Sequence, residues 1–251
     1  MENRMPVGAE HIQRIVPNGL AELIFYLGDL PQSMDAQKDL PEHSLLSGQQ
    51  KSFYDIRVTG HLSLFSIIFQ PHGLVVFFDI PVSELFNQNV PLKHVLKDQV
   101  DELESALARS RSFDEQIRLV EKYLLRRIRK SNRKYEFDRI QHCIGIINRN
   151  KGIVGIDYLA SEACLSRKQF ERTFLAYVGS TPKQFLSTVR FQYAIHEKAK
   201  QRDMSLTVLA YQCGYYDQSH MTGDFKRFAG MTPKKYFADC QPYSDYFPNH
   251  S

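Results

Sequence analysis

An internal repeat near the C-terminus constrains this chain more than any other feature of its sequence. Leu159 and Ala160 recur fifty residues later as Leu209 and Ala210. A further set recurs fifty-one residues later, in which Ser166, Phe170, Phe174, Gly179, Thr181, Pro182 and Lys183 correspond to Asp217, Met221, Phe225, Gly230, Thr232, Pro233 and Lys234. Repeats of this length usually indicate solenoids or propellers, but those folds need three or more stacked copies. Two copies predict a pair of recognition modules instead.

Each copy contains the parts of a helix-turn-helix unit, namely a supporting helix, a tight turn and a second helix with an apolar inner face. In the first copy the supporting helix runs from about Ile156 to Cys164, and Ser166 begins the second helix. Gln169 stands three residues after Ser166, which is the spacing of a capping box. The residues predicted to form the structural core of the two units are Ala160, Phe170, Phe174, Ala210, Met221 and Phe225.

The second copy follows the same plan, with Ser205 and Asp217 as helix caps and a turn at 214–216. After each recognition helix comes a Gly-x-Thr-Pro sequence, at Gly179 and at Gly230. In this sequence glycine ends one helix, threonine caps the next and proline occupies its first turn. The two modules are therefore expected at about 155–177 and 205–229.

A long helix is predicted between the two modules, from about Pro182 to Gln201. At 1.5 Å per residue it is roughly 28 Å long. One turn of B-form DNA is about 34 Å, so a rigid connection of this length suits two helices in successive major-groove segments.

The first part of the chain has a different pattern, in which short apolar runs alternate with turn residues. Strands are predicted at Glu22–Leu27, Phe53–Val58, Leu62–Phe69 and Leu74–Ile80 from their alternation and their β-branched and aromatic content. The predicted fold class is thus α+β and multidomain. Residues 1–90 form a mostly β barrel or sandwich, residues 91–130 a helical hairpin and residues 131–240 an all-α double helix-turn-helix domain, followed by a tail at 241–251.

Two amphipathic helices are predicted for the hairpin, and Ser112 with Glu115 forms a capping box at the start of the second. Their apolar faces either cover the β-domain or partly contact another subunit, and the sequence leaves both open. The basic run from Arg126 to Lys134 is interpreted as a flexible linker.

Positive charge is concentrated in the repeat region. Residues 133–238 contain 17 Lys and Arg against 9 Asp and Glu, whereas the rest of the chain contains 15 against 19. A local excess of this kind predicts a polyanionic partner for the C-terminal part alone.

The repeat region resembles the DNA-binding domain of AraC/XylS-type transcriptional regulators. The stretches that carry the resemblance are GIDYLASEACLSRKQFERTFLAYVGSTPKQFL and LAYQCGYYDQSHMTGDFKRFAGMTPKKYF, within about Glu136 to Phe237. The first part is similar to a poorly characterised sensor domain of such regulators, through IVPNGLAELIFYLGD and FSIIFQPHGLVVFFDIP. The resemblance implies a sequence-specific regulator of transcription. Since the sequence shows no signal peptide, no membrane span and no catalytic motif, we expect a cytoplasmic protein that is not an enzyme. The resemblance also implies double-stranded DNA as a partner, with RNA polymerase, a small-molecule effector and a second copy as further candidates.

Site residues are carried over position by position. Base-contacting positions fall on Lys168, Glu171, Arg172, Gln218, Ser219, His220 and Thr222. Phosphate-contacting positions fall on Arg167, Lys183, Lys226, Arg227, Lys234 and Lys235. The chemistry agrees, because Arg or Lys pairs with guanine, Gln with adenine and Glu accepts from cytosine. Two positions depart from the family, since glycine occupies position 223, which is often basic in relatives, and Asp224 beside it is expected to repel phosphate. The first module is therefore predicted to carry most of the sequence specificity.

Two alternatives stay open at this stage. One is a non-specific architectural DNA binder, and the other is a metal-dependent β-barrel enzyme with an appended DNA-binding domain. His11, His43, His61 and His72 are the candidate metal ligands, but they do not form a metal-binding motif, so no metal and no cofactor are expected. The four cysteines also lack metal-ligand spacing and are interpreted as buried free thiols. No catalytic motif and no membrane-spanning stretch is found in the sequence.

Overall fold

A computed structural model describes residues 2–4, 10–35, 42–96, 100–128 and 134–239. The strands are β1 (Glu2–Arg4), β2 (Glu10–Ile15), β3 (Ala21–Tyr26), β4 (Gln32–Ser33), β5 (Ser44–Ser47), β6 (Tyr54–Thr59), β7 (His61–Phe69) and β8 (Asn89–Pro91). The helices are α1 (Leu74–Phe77), α2 (Leu92–Leu96), α3 (Val100–Arg109), α4 (Phe113–Arg127), α5 (Lys134–Arg149), α6 (Ile156–Glu162), α7 (Arg167–Val178), α8 (Pro182–Lys200), α9 (Leu206–Gln212), α10 (Gln218–Ala229) and α11 (Pro233–Asp239). A 3-10 helix spans Val82–Leu85.

The strands form two antiparallel sheets. The larger has the order β1-β7-β3-β5-β8 and the smaller has the order β2-β6-β4. Strand β3 is packed on both of its faces. Leu23 and Phe25 belong to a hydrophobic core shared with helices α1 to α4, whereas Tyr26 packs with Tyr54 and Ile56 of the smaller sheet. Alternate residues of one strand thus face two different cores, as the period of a strand requires.

The helical hairpin covers the large sheet. Val100, Leu103 and Leu107 of α3 and Val120 of α4 are buried in the same cluster as the inner residues of β3 and β7. This packing is the first of the two interpretations of the apolar faces. Ser112 accepts a hydrogen bond from the Glu115 backbone nitrogen, but the Glu115 carboxylate accepts from the Arg111 backbone instead of completing the capping box.

The helical domain has two cores that share one helix. Phe185, Leu186 and Val189 of α8 are buried with α5, α6 and α7. Further along α8, Phe191 and Ile195 are buried with α9, α10 and α11. The connecting helix is therefore a structural part of both modules.

Several predictions made from the sequence are wrong. The strand predicted at Leu74–Ile80 is instead the short helix α1, in which Phe78 donates to Leu74 across one helical turn. A short apolar run does not distinguish a strand from a buried helical turn by its pattern. In the structure the rings of Phe77 and Phe78 pack on Phe69, with ring centres 5.7 and 6.0 Å from that of Phe69.

Two smaller corrections concern the linker and a thiol. Arg126 and Arg127 belong to α4, so the helix continues into the segment that was interpreted as a flexible linker. Cys143 and Cys213 are buried, but Cys164 is exposed. Cys164 lies in a turn beyond the end of α6, with a φ of 51°, and not in a helix interior. Residues 129–133, Cys240 and the tail at 241–251 lie outside the described residues.

Candidate nucleic-acid interface and internal cavity

The turn of each helix-turn-helix unit has the same hydrogen-bond pattern. The Leu165 backbone nitrogen donates to the Ala160 carbonyl at 3.0 Å, and the Tyr215 nitrogen donates to the Ala210 carbonyl at 2.9 Å. The residue before each of these donors is left-handed, and Gly214 takes this role in the second unit with a φ of 71°. This six-residue closure is typical of a Schellman ending of a helix. It fixes the direction in which each recognition helix leaves the turn.

Polar caps then begin the recognition helices. Ser166 and Gln169 form a complete capping box at the start of α7. Asp217 accepts from the His220 backbone nitrogen at 2.7 Å at the start of α10. Since both caps satisfy donors that have no partner inside the helix, the first turn of each helix is held in place for contact with a ligand.

The residues predicted to form the structural core of the two units face inward. Relative exposure is 3% or less for all of Ala160, Phe170, Phe174, Ala210, Met221 and Phe225. The centre of the Phe191 ring, on the shared helix, lies 4.9 Å from the centre of the Phe225 ring and 5.0 Å from that of Phe228. The recognition helices are thus attached to the protein through one apolar face each, and their other faces are exposed.

The candidate base-contacting residues lie on those outer faces. Lys168, Arg172, Gln218, Ser219 and His220 are exposed, and Glu171 and Thr222 are partly exposed. The Gln218 side-chain oxygen accepts from the Thr207 hydroxyl at 3.0 Å. Sequence reasoning missed Thr207, because its role depends on the distance between α9 and α10 and not on a local motif.

Each candidate phosphate-contacting side chain is exposed as well, and two of the six are held by carboxylates. Arg167 donates to Asp157 at 3.1 Å and to Glu171 at 3.2 Å. Arg227 donates to Asp224 at 2.8 Å. Lys183, Lys226, Lys234 and Lys235 are exposed. The two arginines would have to exchange a carboxylate for a phosphate on binding.

Asp224 does not have the position that its sequence context indicated. The residue is buried and pairs with Arg227, so its carboxylate is not presented on the outer face of α10. Burial raises the pKa of the Asp224 carboxyl above its ordinary value, although Arg227 and Arg190 oppose this effect. Arg190 of the shared helix lies 5.2 Å from the centre of the Tyr215 ring. No local motif marks this cluster, because its members come from three separate elements.

Position 223 is open on the outer face of α10. A Cβ atom placed on Gly223 would meet nothing within 4 Å. The glycine is therefore not required by packing, and α10 presents no side chain to solvent at this position.

A cavity of about 600 Å³ lies between the two sheets of the β-domain. Its walls include apolar side chains of both sheets and the polar side chains of Glu22, Tyr26 and Tyr54. Burial is the main cause that raises the pKa of both tyrosines above the ordinary value. The size is within the range of small-molecule sites in proteins. Tyr236 of α11 also lines the cavity, so the helical domain contributes to its wall.

The four candidate metal-binding histidines do not come together in one site. His72 is buried, with its ring centre 5.1 Å from that of Phe137, and burial lowers the pKa of His72. His43 lies near the Tyr26 carbonyl at 3.2 Å. Within the described ranges, no group of three or more His, Cys, Asp or Glu is arranged to hold a metal ion. Among the described helices, none combines the length with the apolar composition that a membrane span requires.

Comparison with known proteins defines the class of the helical domain. Residues 159–239 match the family described as a helix-turn-helix domain. Residues 2–91 match the family described as a domain of unknown function, DUF6597. The sequence, the repeated turn geometry and this match agree that residues 159–239 form a helix-turn-helix domain with two units, similar to that of AraC-type regulators.

Individual relatives match over this part of the chain. An uncharacterized HTH-type transcriptional regulator of Haemophilus influenzae is 32% identical over 93 residues, which are 37% of this chain and 31% of that protein. The HTH-type transcriptional regulator ArgR of Pseudomonas aeruginosa is 29% identical over 79 residues, 32% of this chain and 24% of that protein. The matches thus span about a third or less of these curated relatives. The solved structure of ToxT from Vibrio cholerae aligns with 92% of this chain and 97% of its own at 13% identity and a TM-score of 0.48.

Proposed function

We propose that this protein is a sequence-specific DNA-binding regulator of transcription. One observation carries the proposal, namely that two recognition helices of matching geometry are joined by a single helix that is buried in both cores. Both helices present polar side chains outward, and the domain has a local excess of positive charge. The relatives of the helical domain are described as transcriptional regulators. The proposed role is binding and not catalysis, and it places the protein in the cytoplasm with its DNA.

In this proposal the exposed side chains divide into two groups. Arg172 or Lys168 reads guanine, Gln218 reads adenine and Glu171 accepts from cytosine, with Ser219, His220 and Thr222 beside them. The six basic side chains Arg167, Lys183, Lys226, Arg227, Lys234 and Lys235 hold the phosphates and set the register without reading sequence.

A salt titration tests the proposal. If all six basic side chains neutralise a phosphate, the logarithm of the binding constant should fall with the logarithm of salt concentration with a slope of about −5. The fall should occur both on a duplex selected by the protein and on random DNA. The selected duplex should bind at least roughly a thousandfold more tightly. Equal affinity for both duplexes would contradict sequence-specific recognition and support the architectural alternative.

We further propose that the three parts of the chain have different roles. Residues 1–90 form the sensor, residues 91–130 cover its large sheet and residues 131–240 bind DNA. The cavity between the sheets is the proposed site of a small organic effector, because its volume and its mixture of apolar walls with a few polar groups suit such a ligand.

A cavity-filling variant tests the effector site. A small molecule that binds there should raise the midpoint of thermal unfolding of the wild-type chain, because binding to the folded state alone stabilises it. Ser66 lines the cavity, so Ser66→Phe should abolish this rise by occupying the space. A screen of small metabolites by thermal unfolding measures both, and an equal rise in wild type and variant would place the ligand elsewhere.

Two further partners belong to the same proposal. A second copy of the chain is a candidate because Phe113 and Leu125 of α4 are 63% and 66% exposed, although the rest of the hairpin packs on the β-domain. RNA polymerase is the candidate partner of a regulator bound near a promoter.

A further inference from the structure

The two recognition helices end in the same way, and both ends contact the β-domain. Helix α7 is followed by Gly179 and helix α10 by Gly230, with φ values of 88° and 70°. The residues just before these glycines, Val178 and Ala229, are buried. Carbonyl groups in the last turn of a helix have no partner within the helix and need one from elsewhere.

The β-domain supplies that partner at both ends. Gln49 donates its side-chain Nε2 to the Val178 carbonyl at 2.9 Å. Arg14 donates its Nη1 to the Ala229 carbonyl, also at 2.9 Å. Val178 and Ala229 are separated by the same fifty-one residues as the rest of the repeat. One domain therefore contacts equivalent atoms of both modules, using a different side chain for each.

Both donors are themselves held in place. The Gln49 side-chain oxygen accepts from the Ser180 hydroxyl at 2.7 Å. Arg14 makes two hydrogen bonds to Asp55, at 2.8 and 2.7 Å, and its guanidinium lies 4.3 Å from the centre of the Phe53 ring. A guanidinium with two bonds to one carboxylate has a fixed direction. Its positive charge at the end of a helix is also electrostatically favourable.

The surfaces around these hydrogen bonds fit closely. A Cβ atom on Gly179 would lie 2.8 Å from the Val82 carbonyl oxygen, and one on Gly230 would collide with the Phe53 ring. The middle of the connecting helix is contacted too, because Gln192 donates to the Pro17 carbonyl at 2.7 Å. The β-domain therefore touches the first module, the connecting helix and the second module.

We propose that Gln49 and Arg14 are positioning residues that fix the two recognition helices relative to each other, so that the β-domain sets which spacing of DNA subsites the protein accepts. The inference rests on the proposed function, because it concerns the geometry of DNA binding. It assigns the β-domain a mechanical role whether or not an effector occupies the cavity.

The test measures how binding depends on subsite spacing. The probe is a duplex of about 30 base pairs selected from a random pool by the full-length chain, and one, two or three base pairs are then inserted between the two footprinted subsites. Each insertion rotates one subsite by about 35° and moves it by about 3.4 Å. We expect the first insertion to weaken wild-type binding roughly tenfold or more, because one module then misses its site.

Two variants remove one contact each. Gln49→Ala acts at the first module, and Arg14→Met combined with Asp55→Asn acts at the second without leaving an unpaired carboxylate. In both variants the penalty for one inserted base pair should shrink at least roughly threefold, because a looser pair of helices adapts to altered spacing. Matched controls are Gln32→Ala, which is exposed on β4, and Arg57→Met, whose ion pair with Glu10 lies within the smaller sheet. Both controls should keep the wild-type spacing profile.

A second measurement does not involve DNA. Spin labels at Lys168→Cys and Ser219→Cys, with Cys164 replaced by serine, report the distance distribution between the recognition helices, which should broaden in the same two variants. An unchanged distribution together with an unchanged spacing profile, in variants that unfold at the wild-type urea midpoint, would overturn the inference. A wild-type chain that selects no preferred duplex, but shows the broadening in the variants, would refute the proposed function and leave the mechanical coupling intact.

Discussion

Phe191→Ala is expected to lower the free energy of unfolding of the second module by about 3–5 kcal/mol, the usual cost of removing a buried phenylalanine. The ring is fully buried and contacts Phe225, Phe228 and Tyr236 at 4.9, 5.0 and 6.3 Å. Its loss removes aromatic contacts to both α10 and α11 at once. Urea unfolding followed by circular dichroism measures the change.

Tyr216→Ala is the matched control for this substitution. Tyr216 lies in the turn of the same module and is 85% exposed. Its replacement should change stability by less than about 0.5 kcal/mol, as is usual for exposed positions. A Phe191→Ala variant as stable as this control would show that the connecting helix does not support the second core.

Arg172→Ala should cause the largest loss of sequence discrimination among single substitutions in the recognition helices, about 1–3 kcal/mol at the base pair that it reads. Arg172 is exposed on α7, where it can make two bonds to a guanine. Gln218 is expected to contribute less, since its side-chain oxygen already accepts from Thr207, which leaves one acceptor position of that oxygen for a bidentate contact with adenine. The measurement compares the affinity of each variant for the selected duplex and for duplexes with single base-pair changes.

Lys183→Ala is the control for the discrimination measurement. A side chain that contacts phosphate should weaken binding to every duplex by a similar factor and reduce the salt slope by about one. A larger loss of discrimination for Gln218→Ala than for Arg172→Ala would contradict the prediction that the first module carries most of the specificity.

Local chemistry explains why the helical domain was predictable from its sequence. The caps at Ser166, Thr181 and Ser205 and the glycine stops act within three or four residues, so they are visible in the sequence and are present in the structure. Because the unit occurs twice, each cap and glycine stop predicted in one copy is supported by the equivalent position of the other. Where residues act through their nearest neighbours, the pattern is a reliable guide.

Features that depend on distant parts of the chain were not predictable in this way. The segment that became α1 has an apolar pattern shared by strands and helices, and its packing on Phe69 decides between them. Asp224 is buried, and Arg190 of a separate helix, 34 residues away, opposes the rise that burial causes in its pKa. The contacts of Gln49 and Arg14 join residues that are 129 and 215 positions apart, and no local pattern records them.

Helix α8, which is buried in both cores, also limits how the two modules can diverge. Adding one residue inside an α-helix turns everything beyond it by about 100° and advances it by about 1.5 Å. An insertion in this helix would therefore rotate the second recognition helix away from the duplex. Only additions close to a whole helical turn would restore its direction. The distance between the two DNA subsites should accordingly change in discrete steps as such proteins evolve. The base sequence within each subsite is not limited in this way.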